Sequence, residues 1–465
     1  MRIAISSMPI TLGPGLPARA SCARMYCLSS SLTVCQSSLS SLATSLIVET
    51  RQRPDRKLLE ADDVRAVCGD EVDHPPQVPR TPRRVGVAVE HVPGTDDEPH
   101  GSARRGYGYR RRSAPMHVVL ADPPAFTPPY DHELASALAR AGARVELVTA
   151  PFRFGARPAA DGYTLAESFY PRSSGIQRDA LRRLARVVEH PVEMRRLLRR
   201  PSDVLHLQWL AAPELDLALL RTSRPLVFTA HDLVPRRTAR RHGLWRRLFA
   251  RFDRVVVHSA RGRETLETFG VDARKLRVIP HPVFESDPPR VDDGRTVLAP
   301  GVIRPYKGVE DAVRATLAVP QARLLVAGDP RIPLDDLRRS AGDRVDWRLG
   351  YLGREELEQA LSEATVAVFP YRAELDQSGA LLQALGAGVP AVVYDVGGLG
   401  EVVGRFGAGR VVPAGDVEGL AAALRELLDD PEALAAARKG AGSARETLTW
   451  DAAAEAHLAL YEELV

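Results

Sequence analysis

Three short stretches carry residues whose types and spacing could do chemistry on a phosphorylated substrate. The first is Gly301-Val-Ile-Arg-Pro-Tyr-Lys-Gly308, which follows an apolar strand pattern and opens a helical one. Lysine is scarce: Lys57, Lys275, Lys307 and Lys439 stand against a Lys+Arg total of 63. A lysine just before a glycine at a strand-to-helix turn sets an ammonium beside unpaired backbone N–H groups, a geometry suited to a diphosphate. A solvated loop cation is the plainer reading of Lys307 taken alone. The second stretch, Pro370-Tyr-Arg-Ala-Glu-Leu-Asp-Gln-Ser-Gly-Ala-Leu-Leu-Gln383, opens a helix near Gly379. Ser378 and Gly379 at that helix start offer N–H donors and a positive dipole end to an anion, and Ser378 also fits simple N-cap chemistry. Glu374, Asp376 and Gln377 could hold sugar hydroxyls, and Gln383, one turn on, could reach a ribose. The third, Phe228-Thr-Ala-His-Asp-Leu-Val-Pro235, puts His231 and Asp232 at the carboxyl end of a strand, where a lone histidine is more often packed than functional.

These residues need a scaffold, and the pattern around them supplies one. From Met116, β-branched runs at 118–121, 145–149, 204–207, 226–229, 255–257 and 276–279 alternate with amphipathic stretches near 131–142, 177–198, 212–221, 239–251 and 260–269. Strands apolar enough to be covered on both faces, alternating with helices, predict a doubly wound parallel sheet. Around 285–294 the pattern lapses into Pro, Asp and Arg, which reads as a linker. It restarts with strands at 297–299, 324–327, 345–347, 366–369 and 391–394 and helices near 308–317, 333–340, 354–363 and 379–387. Helical stretches at 417–428, 431–446 and 450–464 follow. The expected organisation is therefore a first Rossmann-like α/β domain over 116–290 and a second over 291–448. A final helix, 449–465, is expected to cross back to the first. Open parallel sheets bind ligands at the carboxyl ends of their strands, so the site belongs in the cleft between the two domains.

Composition bounds the alternatives. A chain of 465 residues with 45% apolar and 26% charged residues is ordinary for a soluble globular protein of two or three domains. The net charge of +4 comes entirely from residues 1–115 and gives no strong pull toward nucleic acid. That segment is rich in Ser, Arg and Pro and reads as a disordered leader, either a true tail or upstream sequence translated from a start placed too early. The strand pattern that begins immediately at Met116 favours the second explanation. All four cysteines, Cys22, Cys27, Cys35 and Cys68, fall in the leader without the paired spacing of a zinc site, so no metal is expected. The cysteine-free body fits a reducing cytoplasm, and no run of 18 apolar residues suggests a membrane span.

Together the motifs resemble the retaining GT-B glycosyltransferases of family 4, the "glycosyl transferases group 1" type. The matching pieces are His231-Asp232, Ile279-Pro280-His281-Pro282, Pro305-Tyr306-Lys307-Gly308, Gln377-Ser378-Gly379, Gly388-Val389-Pro390, Val396-Gly397-Gly398 through Glu401, and Val412-Pro413-Ala414-Gly415-Asp416. They stand in the family's order over 116–465. The resemblance implies a nucleotide-diphosphate sugar held by the second domain, a glycan or lipid-linked acceptor held by the first, and no cofactor besides the donor. It gives catalytic roles to His231, Lys307 and Asp376, and donor-binding roles to Arg304, Gln377, Ser378, Gly379 and Gln383. Two positions depart from the pattern. Val302 stands where the family has arginine, with Arg304 as the substitute, and Gln383 stands at the second of two paired glutamates. The first glutamate aligns ambiguously with Glu374 to Asp376. These changes resemble a Gln-Ser-Gly variant subgroup.

The implied reaction is metal-independent transfer with retention, the diphosphate charge being met by Lys307, Arg304 and helix N–H groups. A sugar-nucleotide epimerase or hydrolase on the same frame, or a non-catalytic sugar-nucleotide binder, are the competing readings. On the acceptor side, Pro128-Pro129-Tyr130-Asp131-His132 reads as part of a loop after the first strand, with Tyr130, Asp131 and Asp232 facing the acceptor. Basic amphipathic stretches at 178–200 and 236–254 are of a kind that can lie on an anionic membrane, giving peripheral contact at its inner face. In the second, Trp245, Leu248, Phe249 and Phe252 share a face that packing into the core explains better than a membrane does, since core-facing amphipathic helices are commonplace.

Overall fold

The computed structural model describes residues 114–152, 159–235, 238–372 and 375–465. The leader and Glu374 lie outside the described residues. The first domain runs β1 (His117–Asp122), α1 (Pro128–Arg140), β2 (Arg144–Thr149), β3 (Thr164–Glu167), α2 (Asp179–Arg199), β4 (Val204–Leu207), α3 (Pro213–Leu219), β5 (Leu226–Thr229), α4 (His242–Phe249), β6 (Arg254–Val257), α5 (Ala260–Phe269) and β7 (Leu276–Val278). Its seven strands lie in the order β3-β2-β1-β4-β5-β6-β7, all parallel. Central strands β4 and β5 are buried at every residue, as strands covered by helices on both faces must be.

The second domain runs β8 (Thr296–Pro300), α6 (Val309–Leu317), β9 (Arg323–Gly328), α7 (Asp335–Ala341), β10 (Val345–Leu349), α8 (Arg354–Glu363), β11 (Val366–Phe369), α9 (Gly379–Gly386), β12 (Ala391–Tyr394), α10 (Gly398–Phe406), β13 (Gly409–Val412), α11 (Val417–Asp429) and α12 (Pro431–Thr447). Its six parallel strands are ordered β10-β9-β8-β11-β12-β13. In each sheet the chain winds one way from the first strand and then the other, so the order reverses between β1 and β4, and between β8 and β11. Loops leaving the two strands at such a point turn apart and open a crevice. The second sheet's crevice is bounded by residues 301–308, 370–372 and 375–378, within the two stretches the sequence marks for anion binding.

A last helix, α13 (Trp450–Glu462), packs on α1. Its Trp450, Ala453, Ala454, Leu460 and Tyr461 share one core cluster with Val118, Leu120, Leu134 and Val256 of the first domain. Tyr461 Oη also hydrogen-bonds the buried His206 Nδ1 at 2.6 Å.

One expectation needs correction. Residues 128–132 are not loop: α1 begins at Pro128, with proline in the first turn, where its fixed φ and missing N–H cost nothing. Tyr130 and Asp131 are consequently buried, at 3% and 2% exposure. In the stretch 236–254, Trp245, Leu248, Phe249 and Phe252 are at most 1% exposed and pack in the first-domain core, the favoured of the two readings of that face, which is therefore not open to a membrane.

Candidate active site

The two loops at the second sheet's crevice are stitched together by close backbone approach. Gly308 has φ +65°, and a Cβ there would lie 2.1 Å from Pro370 O, so only glycine lets the loops meet. Arg372 N donates to Tyr306 O at 2.7 Å, and the Arg372 guanidinium grips Asp311 at 2.8 and 3.0 Å. Lys307 is thereby aimed into the crevice. Its Nζ sits 4.9 Å from the centre of the Tyr371 ring, and the Tyr371 hydroxyl is 3.1 Å from Ser378 Oγ. A Cβ built on Gly301 would lie 3.1 Å from Lys307 Nζ and 3.4 Å from Ala380 Cβ, which places the ammonium beside the first turn of α9.

Ser378 caps α9, accepting from Leu381 N at 3.4 Å. Among the described residues the N–H groups of Gly379 and Ala380 have no partner, as the first turn of any helix leaves them. Lys307 and these amides therefore converge on one place. Arg304 is exposed at the same loop. Gln383 is half-buried one turn into α9, with no partner for its amide among the described residues. Gln377 is engaged differently from expectation: its carboxamide accepts from Ser378 N at 2.9 Å and donates to Gly398 O at 3.3 Å, shaping the loop.

Across the cleft, His231 follows β5 beside Gln208 and Trp209, which follow β4. Its ring stacks on Trp209 (centroids 5.3 Å, 17°) and meets the Tyr130 edge at 4.8 Å. Leu233, two residues on, has φ +51°, a strained value for a branched side chain that recurs where a loop must present a functional group. A chain of imidazoles runs behind His231: its Nδ1 is 3.3 Å from His258 Nε2, and His258 Nδ1 is 3.0 Å from Ile279 O. The carbonyl must be met by a proton on His258 Nδ1, so neutral His258 accepts at Nε2 from His231 Nδ1–H. His231 Nε2 is 3.1 Å from Gln208 Oε1; as the acceptor in this tautomer it needs the Gln208 amide turned so that its NH2 faces the ring. Burial holds His231 uncharged, its pKa well below the ordinary imidazole value, and lowers His258 to about 4 and His281 to about 3.

On the acceptor side, Asp131 lies under the surface against Asp122. Burial raises both carboxyls, Asp122 to about 6; the interaction between them then acts in opposite senses, Asp122 pushing Asp131 higher by its charge and hydrogen bonding while the bond from Asp131 pulls Asp122 back down. Asp232 is exposed next to His231.

Asp376 does not point into the open cleft. It is fully buried, accepts from Ser259 Oγ at 2.5 Å and from His258 N, and so joins the second domain to the first. Burial raises its pKa to about 7 against the lowering effect of those two bonds. Glu401 reinforces the junction by accepting from Ala260 N and Arg261 N at 3.1 and 3.2 Å, capping α5 from across the cleft. Arg261 returns a bond to Asp395 at 2.8 Å. Gly397 makes this seat possible: with φ +54°, a Cβ there would lie 1.7 Å from Leu375 O.

Sequence reasoning missed Gln208, Trp209, His258, Ser259 and Tyr371. All but Tyr371 follow first-domain strands at their carboxyl ends, so a survey of every strand end, rather than of motifs, could have found them.

Two sheets of this winding, meeting at the carboxyl ends of their strands, define the GT-B class. The family description "Glycosyltransferase Family 4" matches residues 130–286, and "Glycosyl transferases group 1" matches 294–430. The chain belongs, by both of its domains, to the group 1, family 4 glycosyltransferases. A glycogen synthase of Mycobacterium tuberculosis is 33% identical over 210 residues, 42% of this chain and 50% of that protein. A phosphatidyl-myo-inositol mannosyltransferase of Mycolicibacterium smegmatis is 30% identical over 246 residues, 50% of this chain and 63% of that protein. The aligned part thus spans about half to two thirds of these relatives' length. Among solved structures, a sucrose-phosphate synthase from Thermosynechococcus elongatus superposes with TM-score 0.60 at 22% identity, over 75% of this chain and 99% of that one. Anabaena HepE in complex with UDP-glucose gives 0.56 at 15%, over 75% and 100%.

Proposed function

We propose that this chain transfers a glycosyl unit from a nucleoside-diphosphate sugar to a hydroxyl of a glycan or lipid-linked acceptor, without a metal and with retention of anomeric configuration. The observation that carries the reading is the convergence of Lys307 and the free amides of α9 at the reversal point of the second sheet, with His231 on the facing domain. In this reading Lys307, Arg304 and the Gly379 and Ala380 N–H groups meet the charge on the departing diphosphate, each fixed donor contributing a few kcal/mol in a dry site. Gln383 takes the ribose. The acceptor hydroxyl attacks from the face the diphosphate leaves and gives its proton to the leaving phosphate oxygen. His231, held neutral, borders the donor sugar without adding a repelling charge. Asp376 acts by positioning the 375–378 loop. The UDP-glucose bound to the Anabaena relative supports a nucleotide sugar as donor, and the mannosyltransferase relative supports a lipid-linked acceptor. We place the reaction in the cytoplasm, where such donors are available.

Thermal-shift screening against UDP-, GDP- and ADP-sugars, followed by product analysis, tests the proposal. Lys307→Ala should lower turnover at least about a hundredfold while leaving the fold intact. Near-normal turnover would remove the role given to Lys307, and donor hydrolysis with no acceptor product would replace transfer by a hydrolase.

A further inference from the structure

Helix α2 is amphipathic the wrong way round for a helix that only braces a sheet. Its buried side carries Glu189, His190, Glu193, Met194 and Leu197. Its solvent side carries Leu181, Leu184, Val187, Val188 and Val192, at 51%, 64%, 56%, 69% and 45% exposure. At 100° per residue these five fall within an arc of about 140°, a continuous stripe rather than the scattered apolar exposure any surface shows.

Charge frames the stripe. Residues 178–200 hold arginine at 178, 182, 183, 186, 195, 196, 199 and 200, against Asp179, Glu189 and Glu193. The two glutamates are buried: Glu189 accepts from Ser173 Oγ at 2.6 Å and Glu193 pairs with Arg196 at 2.8 Å. Arg178, Arg183, Arg195 and Arg199 are exposed and have no acidic partner among the described residues. The open face is therefore apolar along its middle and cationic at its margins. Such a surface matches an anionic phospholipid bilayer, where apolar side chains enter the acyl boundary and guanidinium groups meet phosphates. A second copy of the chain fits it poorly, because a two-fold interface would set these arginines against their own counterparts.

The position of the helix adds a reason. In a β-α-β crossover the helix runs antiparallel to its strands, so the N-terminal half of α2, where the stripe begins, lies toward the carboxyl edge of the first sheet. That is the cleft edge carrying His231 and Gln208.

We propose that α2 is a membrane-docking helix that seats the first domain on anionic lipid through Leu181, Leu184, Val187, Val188 and Val192, with its cleft edge toward the bilayer. The binding does not depend on the transferase reading and is measured without turnover. The full chain should co-sediment with phosphatidylcholine–phosphatidylglycerol vesicles, lose binding as salt is raised, and bind pure phosphatidylcholine weakly. Leu184→Asp with Val188→Asp should lower partitioning at least about tenfold, since each removes an apolar side chain from the bilayer. Both residues are exposed in the free protein, and an unchanged melting temperature would show that the fold survives. Failure of the unaltered chain to bind anionic vesicles, or undiminished binding by the double variant, would overturn the proposal. So would a solution dimer that the same two substitutions disperse, which would give the face to a second copy.

Discussion

Asp376 offers the sharpest test of how the two domains are held. Its carboxyl is buried between them, and its pKa stands near 7 where an exposed aspartate has 3.8. An acid whose pKa rises on folding binds protons in the folded state that the unfolded chain has already released. Stability from this group is therefore greatest below the unfolded value and falls as pH climbs from about 4 to about 7. Three pKa units correspond to about 4 kcal/mol in total, of which about 2–3 kcal/mol falls between pH 5 and pH 8. Asp376→Asn keeps the shape and an oxygen acceptor for His258 N while removing the titration. Urea unfolding of both proteins, followed by tryptophan fluorescence across that pH range, should show wild type losing about 2–3 kcal/mol relative to the variant. A stability difference that stays constant from pH 5 to 8 would show that the carboxyl keeps an ordinary pKa, and the account of the buried junction would fail.

Other outcomes follow from the same geometry. Gly308→Ala combines a φ of +65° with a clash against Pro370 O and should cost about 2–4 kcal/mol, abolishing any thermal shift from a nucleotide sugar. Gly407→Ala, in the same left-handed conformation at φ +62° and ψ +28° but with nothing within 4 Å of the added methyl, should cost only about 1 kcal/mol; equal losses would mean that loop contact is not what Gly308 provides. On the acid side, burial depresses His206, His231, His258, His281 and His457, with His258 and His457 near 4 and His281 near 3. Here the unfolded chain takes up more protons, so stability is full above pH 6.5 and falls below it, each group near 4 costing about 3 kcal/mol by that pH. The raised carboxyls of Asp122, Asp131 and Asp376 act in the opposite sense but are outnumbered. Cooperative unfolding is expected between pH 6.5 and 4, and circular dichroism unchanged through that interval would contradict it.

Much of this architecture is local and could be seen in the chain. β11 and β12 are unbroken apolar runs, β4 and β5 are interrupted only by His206 and Thr229, and Ser378 announces the start of α9 by its capping chemistry. The elements not anticipated carry weak local signals. β3 reads Thr-Leu-Ala-Glu at a sheet edge with no buried residue, β13 is a half-exposed edge strand, and α10 opens Gly-Leu-Gly, against helix propensity. Propensity loses at α10 because a side chain at Gly398 would strike Asp376 O and Ser259. The junction of the domains was hidden for another reason. Asp376 meets Ser259 from 117 residues away and Glu401 meets Ala260 from 141, and no periodicity reports such pairs. The face of α2 misleads for a third: its pattern is amphipathic, but burial is decided by the two glutamates and a histidine, which find partners inside.

The packing of α13 also constrains synthesis. A ribosome making this chain completes the second sheet and its helices before it has made Trp450, Leu460 and Tyr461, which the first domain's core requires. Until then α1 has an uncovered apolar side and His206 lacks its hydroxyl partner, so the earlier-made half must wait, loosely assembled, for the later-made half. Nascent chains stalled before residue 450 should be the ones that chaperones hold.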